Sequence, residues 1–291
     1  MDTKELIKRV RKIELKTRGL SNQIFSGEYH SAFKGSGMAF SEVREYVAGD
    51  EIRKIDWNVT ARLNSPYVKV FDEERELTVM LLVDMSGSED FGTKNQTKRD
   101  LITEICAVLA FSAIQNNDKI GAIFFSDKIE KFIPPKKGKS HTLLIIRELL
   151  DFTPENKGTD LSEPLRYLSS VIKKRSIVFL ISDFIGDGFE KALKIANRKH
   201  DLVALKISDK AEKELPNVGL VPIKDNETNE IIWLDTSDKK VLNKYKAQML
   251  RQQDELNQIF KKSGVDFAEI GTHQSYVKPL MNLFKKRESK R

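Results

Sequence analysis

Three oxygen-bearing side chains follow one apolar run of this sequence at a spacing that suits a metal ion. Residues 77–83 have the apolar, β-prone character of a buried strand, and Asp84, Ser86 and Ser88 follow at alternate positions. Because successive side chains of an extended chain point to opposite sides, these three can face one point, and Gly87 permits the turn between the hydroxyls. One carboxylate and two hydroxyls are part of a ligand set that suits magnesium.

Two further candidate ligands occur later in the chain. Thr159 precedes an amphipathic stretch, and Asp183 follows the apolar run 177–181. Loops at the carboxyl ends of neighbouring strands converge on one crevice of an open sheet, so we expect both residues to lie beside Asp84. In the alternative interpretation, the serines and the threonine only cap loops and helices, as these residue types often do.

The composition limits the class of protein. The 291 residues are 40% hydrophobic and 32% charged, which suits a packed core under a charged surface. No apolar run approaches the roughly 18 residues of a membrane span, and the charged N-terminus lacks the apolar region of a secretory signal. The single cysteine, Cys106, allows no intramolecular disulfide, so we expect a cytoplasmic protein.

The net charge of +7 does not by itself indicate nucleic-acid binding. The positive residues form small, widely separated clusters, and aromatic residues do not alternate with them as stacking platforms would. We therefore expect no nucleic-acid partner. An N-terminal helical stripe of Leu6, Val10 and Ile13 suits packing on the body of the protein, with peripheral contact to anionic lipid as the alternative.

Beyond residue 76 the chain alternates between short apolar runs and longer amphipathic runs. The predicted strands are 77–83, 119–125, 129–133, 176–181, 202–207, 231–234 and 265–270. The predicted helices are 98–116, 139–152, 161–174, 188–199, 238–262 and 275–284. This alternation predicts an α/β fold with a doubly wound, mostly parallel sheet flanked by helices, of the Rossmann type. The short connection 126–128 predicts one antiparallel edge strand, and residues 209–229 are predicted to form a surface excursion.

The candidate ligands resemble the metal-ion-dependent adhesion site of von Willebrand factor A-type domains. In that family the first loop carries Asp-x-Ser-x-Ser, the second a threonine and the third an aspartate. The matching residues here are Asp84, Ser86, Ser88, Thr159 and Asp183. The resemblance implies a site for Mg²⁺, with Mn²⁺ or Ca²⁺ as alternatives. It also implies a site that binds a partner's glutamate or aspartate carboxylate rather than one that transforms a substrate.

A second resemblance is carried by the densely charged block before this domain. The block resembles the one that precedes the A-type domain in a widespread bacterial family of unassigned biochemical function, often encoded beside MoxR-type AAA+ ATPases. The matching residues are Arg44, Glu45, Tyr46, Gly49, Asp50, Arg53, Ile55, Asp56, Trp57, Ala61, Arg62, Glu73, Glu74 and Arg75. We expect residues 1–75 to form an N-terminal helix and a charged segment packed on the body. Residues 76–291 are expected to form the A-type domain with a C-terminal helix and basic tail.

The charged block has two interpretations. Its arginines have acidic partners nearby in sequence, so a buried salt-bridge network could order it, which is the interpretation we favour. It could also be a docking surface, because tryptophan and arginine are enriched among the residues that dominate protein interfaces. The candidate partner-binding residues are Arg44, Asp50, Arg53, Asp56, Trp57 and Arg62. The resemblance implies an adaptor for a MoxR-type ATPase in protein-complex maturation, metal insertion or stress response.

An enzymatic alternative comes from a fainter resemblance, to magnesium-dependent phosphatases of the haloacid-dehalogenase type. In those enzymes an aspartate attacks phosphorus, a serine or threonine and a lysine hold the phosphate, and later carboxylates bind magnesium. The candidate residues are Asp84 as nucleophile, Ser126, Lys173 or Lys174, Asp183 and Asp187. Ser86 departs from this pattern, since most such phosphatases place a second aspartate there.

Overall fold

The structure is a computed structural model that describes residues 8, 10–17, 39–72, 77–91, 96–156, 158–213, 218–224 and 231–290. The chain forms two compact units. The smaller unit is Phe33–Leu77, and the larger combines the N-terminal helical residues with everything from Thr78 onward. Three residues of the predicted charged block, Glu73, Glu74 and Arg75, lie outside the described residues, as does Leu6 of the N-terminal stripe.

The secondary structure follows the predicted alternation with small shifts at the ends of the elements. The strands are β1 (Ala39–Glu45), β2 (Tyr67–Asp72), β3 (Thr78–Asp84), β4 (Lys119–Phe125), β5 (Ile129–Lys136), β6 (Ile177–Ser182), β7 (Asp201–Ser208), β8 (Leu220–Lys224), β9 (Ile231–Asp235) and β10 (Asp266–Gly271). The helices are α1 (10–17), α2 (Trp57–Leu63), α3 (Lys98–Gln115), α4 (Lys139–Asp151), α5 (Ser162–Val171), α6 (Glu190–Lys199), α7 (Lys210–Lys213), α8 (Lys239–Ser263) and α9 (Val277–Glu288).

The larger unit is built on a six-stranded sheet with the strand order β10-β7-β6-β3-β4-β5. All neighbouring strands are parallel except β4 and β5, which pair antiparallel at one edge. The first strand of this sheet, β3, lies in its middle. Strands β4 and β5 extend the sheet on one side of β3, and β6, β7 and β10 extend it on the other. The predicted α/β fold, a doubly wound and mostly parallel sheet with one antiparallel edge strand, is confirmed.

The central strands read as continuous apolar runs because helices cover both faces of the sheet. On one face, α5, α6 and α8 pack over β3, β6 and β7, with Leu165, Leu193 and Phe260 in the shared core. A second core cluster joins α3 and α4 through Ala107, Phe111 and Ile146. Val10 and Ile13 of α1 pack against this second cluster, so the described part of the N-terminal stripe lies on the body of the protein.

The predicted surface excursion contains two short regular elements. Residues 209–229 contain the short helix α7 and the strand β8, which pairs antiparallel with β9 in a separate two-stranded sheet. Pro222 lies inside β8, opposite Trp233. A proline argues against a central strand because it lacks the backbone N–H, but it is tolerated in a two-stranded ribbon, where each strand is an edge.

In the smaller unit, β1 and β2 pair antiparallel. Helix α2 begins at the cap residue Asp56, whose carboxylate accepts hydrogen bonds from the backbone N–H groups of Asn58 and Val59. It ends at Asn64, which adopts a left-handed conformation. In the described parts of both units, no helix combines the length and the apolar character needed to cross a lipid bilayer.

Candidate metal site

The candidate site lies where the strand order of the sheet reverses. Strands β3 and β6 are parallel neighbours, and their carboxyl ends meet at the same edge. In open α/β sheets the connections diverge at such a point and leave a crevice, which is the usual ligand site of this architecture. The loops that follow β3 and β6 carry Asp84 and Asp183, so the topology brings these two residues to the crevice.

Asp84 is the last residue of β3 and is fully buried. Its Oδ1 accepts a hydrogen bond from the backbone N–H of Ser86 at 2.9 Å, and its Oδ2 accepts one from the hydroxyl of Ser182 at 2.6 Å. The hydroxyl oxygens of Ser86 and Ser88 are 3.1 Å apart. The segment therefore turns as the Asp-x-Ser-x-Ser spacing predicts, with both hydroxyls together. Ser86 precedes the 3-10 turn Gly87–Asp90 without a capping hydrogen bond from its side chain.

Asp183 directly follows β6 and is also buried. Its Oδ1 accepts a hydrogen bond from the backbone N–H of Ile185, while its Oδ2 lies 2.8 Å from the ammonium of Lys98. The next residue, Phe184, has a φ of 59°, which is unfavourable for a bulky side chain. Its N–H donates to the hydroxyl of Ser182, and its ring packs edge-on against Phe260. These contacts hold the loop in the conformation that presents Asp183.

Two ionisable residues of the site, Glu89 and Lys98, were not predicted from the sequence. Glu89 lies on the 3-10 turn after Ser88, and its Oε1 accepts a hydrogen bond from the backbone N–H of Asp183 at 3.1 Å. Lys98 is fully buried at the start of α3, with its ammonium 2.8 Å from Asp183 and 2.7 Å from Glu212. Glu89 was discoverable in principle as a third acid in the motif, but no local pattern marks Lys98 as buried.

Three carboxylates converge at this edge. One oxygen from each of Asp84, Glu89 and Asp183 lies within 4.8 Å of the others. Burial, reinforced by the charge of Asp183, raises the pKa of Asp84 to about 7. Burial also raises the pKa of Glu89 well above its usual value. Burial alone would lower the pKa of Lys98, but the charges of Glu89, Asp183 and Glu212 raise it instead. Three ionised carboxylates at this edge would thus carry more negative charge than the Lys98 ammonium offsets.

The donor set fits a small divalent cation. Buried carboxylates and hydroxyls are hard oxygen ligands of the kind that Mg²⁺, Mn²⁺ and Ca²⁺ take. Glu89 Oε2 is buried and has no hydrogen-bond partner among the described residues, which is unusual for a buried polar atom. A cation bound at this edge would pair that oxygen and lower the cost of burying three acids. Asp84, Asp183, Ser86 and Ser88 are the residues that would hold it.

Thr159 lies on the same edge of the sheet, one strand away from Asp84. Its neighbour Asp160 donates its backbone N–H to the carbonyl of Ser126, directly after β4, and β4 pairs with β3. The carboxylate of Asp160 accepts a hydrogen bond from the backbone N–H of Ser162 at the start of α5. A role of Thr159 as a metal ligand stays a prediction.

The structure brings together only part of the phosphatase set, because Asp84 and Asp183 lie in one cluster while the predicted lysines lie elsewhere. Lys173 and Lys174 are exposed and precede β6, so they lie at the amino edge of the sheet, opposite Asp84. The hydroxyl of Ser126 is committed to Glu130 at 2.6 Å. Lys98 is the lysine near Asp84, and its ammonium already pairs with two carboxylates.

The predicted salt-bridge network of the charged block is only partly present. Arg44 makes two hydrogen bonds of 2.7 Å to the carboxylate of Asp50, and these bonds lower the pKa of Asp50. Asp56 pairs with Lys69 instead of an arginine. Arg53 and Arg62 are exposed, as is Trp57, of which 66% is accessible. Glu73 and Glu74, two of the acidic partners expected for these arginines, lie outside the described residues, so the buried network stays a prediction.

This chain is similar to one protein family, to curated bacterial proteins and to several solved structures. The family described as "Protein of unknown function DUF58" matches residues 42–255. The uncharacterized protein Rv1480 of Mycobacterium tuberculosis is 30% identical over 234 residues, covering 79% of this chain and 74% of that protein. Among solved structures, the conserved hypothetical protein BatB from Bacteroides thetaiotaomicron covers 73% of this chain and 99% of its own, with 15% identity and a TM-score of 0.47. The SpRpn10 VWA domain covers 73% of this chain and 95% of its own, with 11% identity and a TM-score of 0.39.

Proposed function

This chain belongs to the DUF58 family, and from that premise and the carboxylate cluster we propose that it is a magnesium-dependent protein-interaction module. The single observation that carries the proposal is the convergence of Asp84, Glu89 and Asp183 within 4.8 Å at the reversal point of the sheet. The hydroxyls of Ser86 and Ser88 complete a set of hard oxygen ligands beside them. Thr159, from the neighbouring loop, is a further proposed ligand.

A dication in this set would offer an open position to a carboxylate of a protein partner. The chain's own groups define that position, because the acids are fixed by backbone and hydroxyl hydrogen bonds before any ligand arrives. A cleft of about 460 Å³ adjoins the loop after Asp183 and is lined by two acids and two lysines among others: Asp187, Glu190, Lys191 and Lys194. A segment of a partner could follow this cleft, with its carboxylate at the metal.

Binding is better supported than phosphoryl transfer. A phosphatase would need a lysine free to hold phosphate next to the nucleophile. The nearby Lys98 is fully buried and pairs with Asp183 and Glu212, while the two lysines expected for this role lie at the opposite edge.

We further propose a cytoplasmic adaptor that works with a MoxR-type AAA+ ATPase in protein-complex maturation, metal insertion or stress response. The sequence resemblance of the charged block supports this partner. Exposure of Trp57, Arg53 and Arg62 also supports a docking role, since they are residue types that dominate interfaces. In this arrangement the smaller unit would bind the ATPase, and the metal site would bind the protein on which the pair acts.

The metal site is tested first, by thermal and urea unfolding in MgCl₂ and in EDTA. A ligand that binds only the folded state at 100 times its Kd stabilises it by about 2.7 kcal/mol. We expect that gain in the wild type and its loss in Asp84→Asn. The matched control is Asp254→Asn, an exposed aspartate on α8, which should keep the full gain. A wild type with equal stability in MgCl₂ and EDTA would refute the metal site.

The partner is tested by capture on an immobilised MoxR-type ATPase and, separately, on a set of acidic peptides. Trp57→Ala should weaken ATPase binding at least tenfold, whereas Trp233→Ala, of similar exposure at 63%, should not. Asp84→Asn should abolish binding of the acidic peptide and leave ATPase binding intact. Peptide capture that persists in EDTA would contradict the interaction mechanism, and unchanged ATPase binding by Trp57→Ala would contradict the docking surface.

A further inference from the structure

One carboxylate oxygen of the cluster differs from all the others. Both oxygens of Asp84 accept hydrogen bonds, from Ser86 and Ser182, and both oxygens of Asp183 are occupied, by Ile185 and Lys98. Glu89 Oε2 is the exception, because no group in the described part of the chain donates to it. Glu89 is only 1% exposed, so bulk water does not supply the missing hydrogen bond to this oxygen.

The position of Glu89 is fixed by the backbone on both sides. The 3-10 turn Gly87–Asp90 is closed by the Glu89 N–H bonding to the Ser86 carbonyl, and the Glu89 Oε1 receives the N–H of Asp183. The carboxylate therefore joins the loop after β3 to the loop after β6. One oxygen of this carboxylate lies within 4.8 Å of a carboxylate oxygen of Asp84 and of one of Asp183.

Lys98 supplies the charge that this third acid requires. A bound dication would hold the three clustered carboxylates ionised, with three negative charges, and the dication with the Lys98 ammonium would supply three positive charges. Glu212 is the second partner of Lys98, but it is 26% exposed and lies outside the cluster, so solvent screens its charge more strongly.

We propose that Glu89 is a third carboxylate ligand of the metal and that Lys98 is the matched counter-charge that keeps the loaded site neutral. This inference rests on the proposed metal site and specifies how it is built. Without Lys98, a dication held by three acids would leave one net negative charge, which would repel the carboxylate of a partner. With Lys98, the site gains a third ligand and still accepts an acidic group.

The test is calorimetric titration of MgCl₂ and MnCl₂ into the wild type, Glu89→Gln and the control Glu255→Gln, an exposed glutamate on α8. Glu89→Gln should bind both metals at least tenfold more weakly, and the control should bind as the wild type does. In EDTA at neutral pH, Glu89→Gln should unfold at a higher temperature than the wild type, since the amide keeps the bond from Asp183 and removes an acid whose pKa is raised by burial. A residue with a purely structural role would not weaken metal binding while stabilising the metal-free protein.

Lys98→Met and the double variant Glu89→Gln/Lys98→Met test the counter-charge. Lys98→Met should bind metal more tightly but capture an acidic peptide at least tenfold more weakly, and the double variant should recover peptide capture. If Lys98→Met fails to fold, Glu89→Gln alone still decides on the third ligand. Wild-type metal affinity in Glu89→Gln, with affinity lost in Asp84→Asn, would overturn this inference and leave the proposed function standing. Absence of metal binding by the wild type would overturn both.

Discussion

The two edges of the central sheet both bury charged side chains, but they balance those charges differently. At the amino edge, Arg287 bonds Asp266 at 2.8 Å and also pairs with Asp201, and Lys290 pairs with Asp266 at 2.6 Å. Two positive side chains therefore balance two negative ones in this network. At the carboxyl edge, the described residues set three clustered acids against the ammonium of Lys98, which is itself shared with Glu212.

The difference separates a structural network from a binding site. The amino-edge network joins the first residues of β7 and β10 to the last turn of α9, so its charges are compensated within the fold. The carboxyl edge holds Asp84 with a pKa raised to about 7 and an unpaired oxygen on Glu89. Uncompensated buried charge reduces stability, and such groups concentrate at functional sites, where an added ligand supplies the compensation.

The largest expected effect on stability comes from removing the arginine of the amino-edge network, where the charges are balanced. Arg287→Met leaves the carboxylates of Asp201 and Asp266 without their shared guanidinium, and removing one partner of a buried pair typically costs about 3–5 kcal/mol. We expect a loss of about 4 kcal/mol in urea unfolding, with Mg²⁺ affinity of the folded protein unchanged. The control is Lys290→Met, whose side chain is 55% exposed, with an expected loss of at most about 1 kcal/mol. A large change in metal affinity in Arg287→Met would show that the two edges are coupled.

A smaller effect, at the same edge, depends on pH. His200 is buried beside a cavity of about 240 Å³, and neither of its ring nitrogens has a hydrogen-bond partner among the described residues. Burial, together with the charges of Lys199 and Arg175, lowers its pKa to about 4. The unfolded chain, with a histidine pKa of about 6.5, therefore binds the proton more readily than the folded protein between these values. The contribution of His200 to stability is complete above pH 6.5 and is lost as the pH falls towards 4, by about 3 kcal/mol.

His200→Phe removes this proton-linked loss. We expect the wild type to lose about 3 kcal/mol more than the variant between pH 7 and pH 4, measured by urea unfolding in EDTA. Groups common to both proteins cancel in that difference. The exposed His273 gives the matched control, because His273→Phe should retain the wild-type acid sensitivity. Equal pH profiles for the wild type and His200→Phe would mean that the buried ring is protonated in the folded protein.

The sequence predicted those features that depend on local pattern and topology. Asp84, Ser86 and Ser88 were predictable because an alternating chain places them on one side, and Asp183 because parallel strands end at a common edge. Lys98 was not, because it directly follows the capping residue Thr97 at a helix start, where a lysine ordinarily faces solvent. Its burial depends on Asp183, 85 residues away in sequence. The Arg287–Asp201 pair, 86 residues apart, escaped prediction for the same reason.

The smallest expected effect is on Mg²⁺ affinity and concerns one hydroxyl at the carboxyl edge of the sheet. Ser86→Ala removes a candidate ligand atom but keeps the backbone N–H that bonds Asp84, so the carboxylate stays in place. Because water can take the position of a hydroxyl, we expect Mg²⁺ affinity to fall by only about tenfold, which corresponds to about 1.4 kcal/mol. The matched control is Ser289→Ala, which follows α9 at the amino edge and should bind Mg²⁺ as the wild type does. Unchanged Mg²⁺ affinity in calorimetric titration of Ser86→Ala would favour the alternative in which the serine only orders its loop, and the ligand set would then consist of carboxylates.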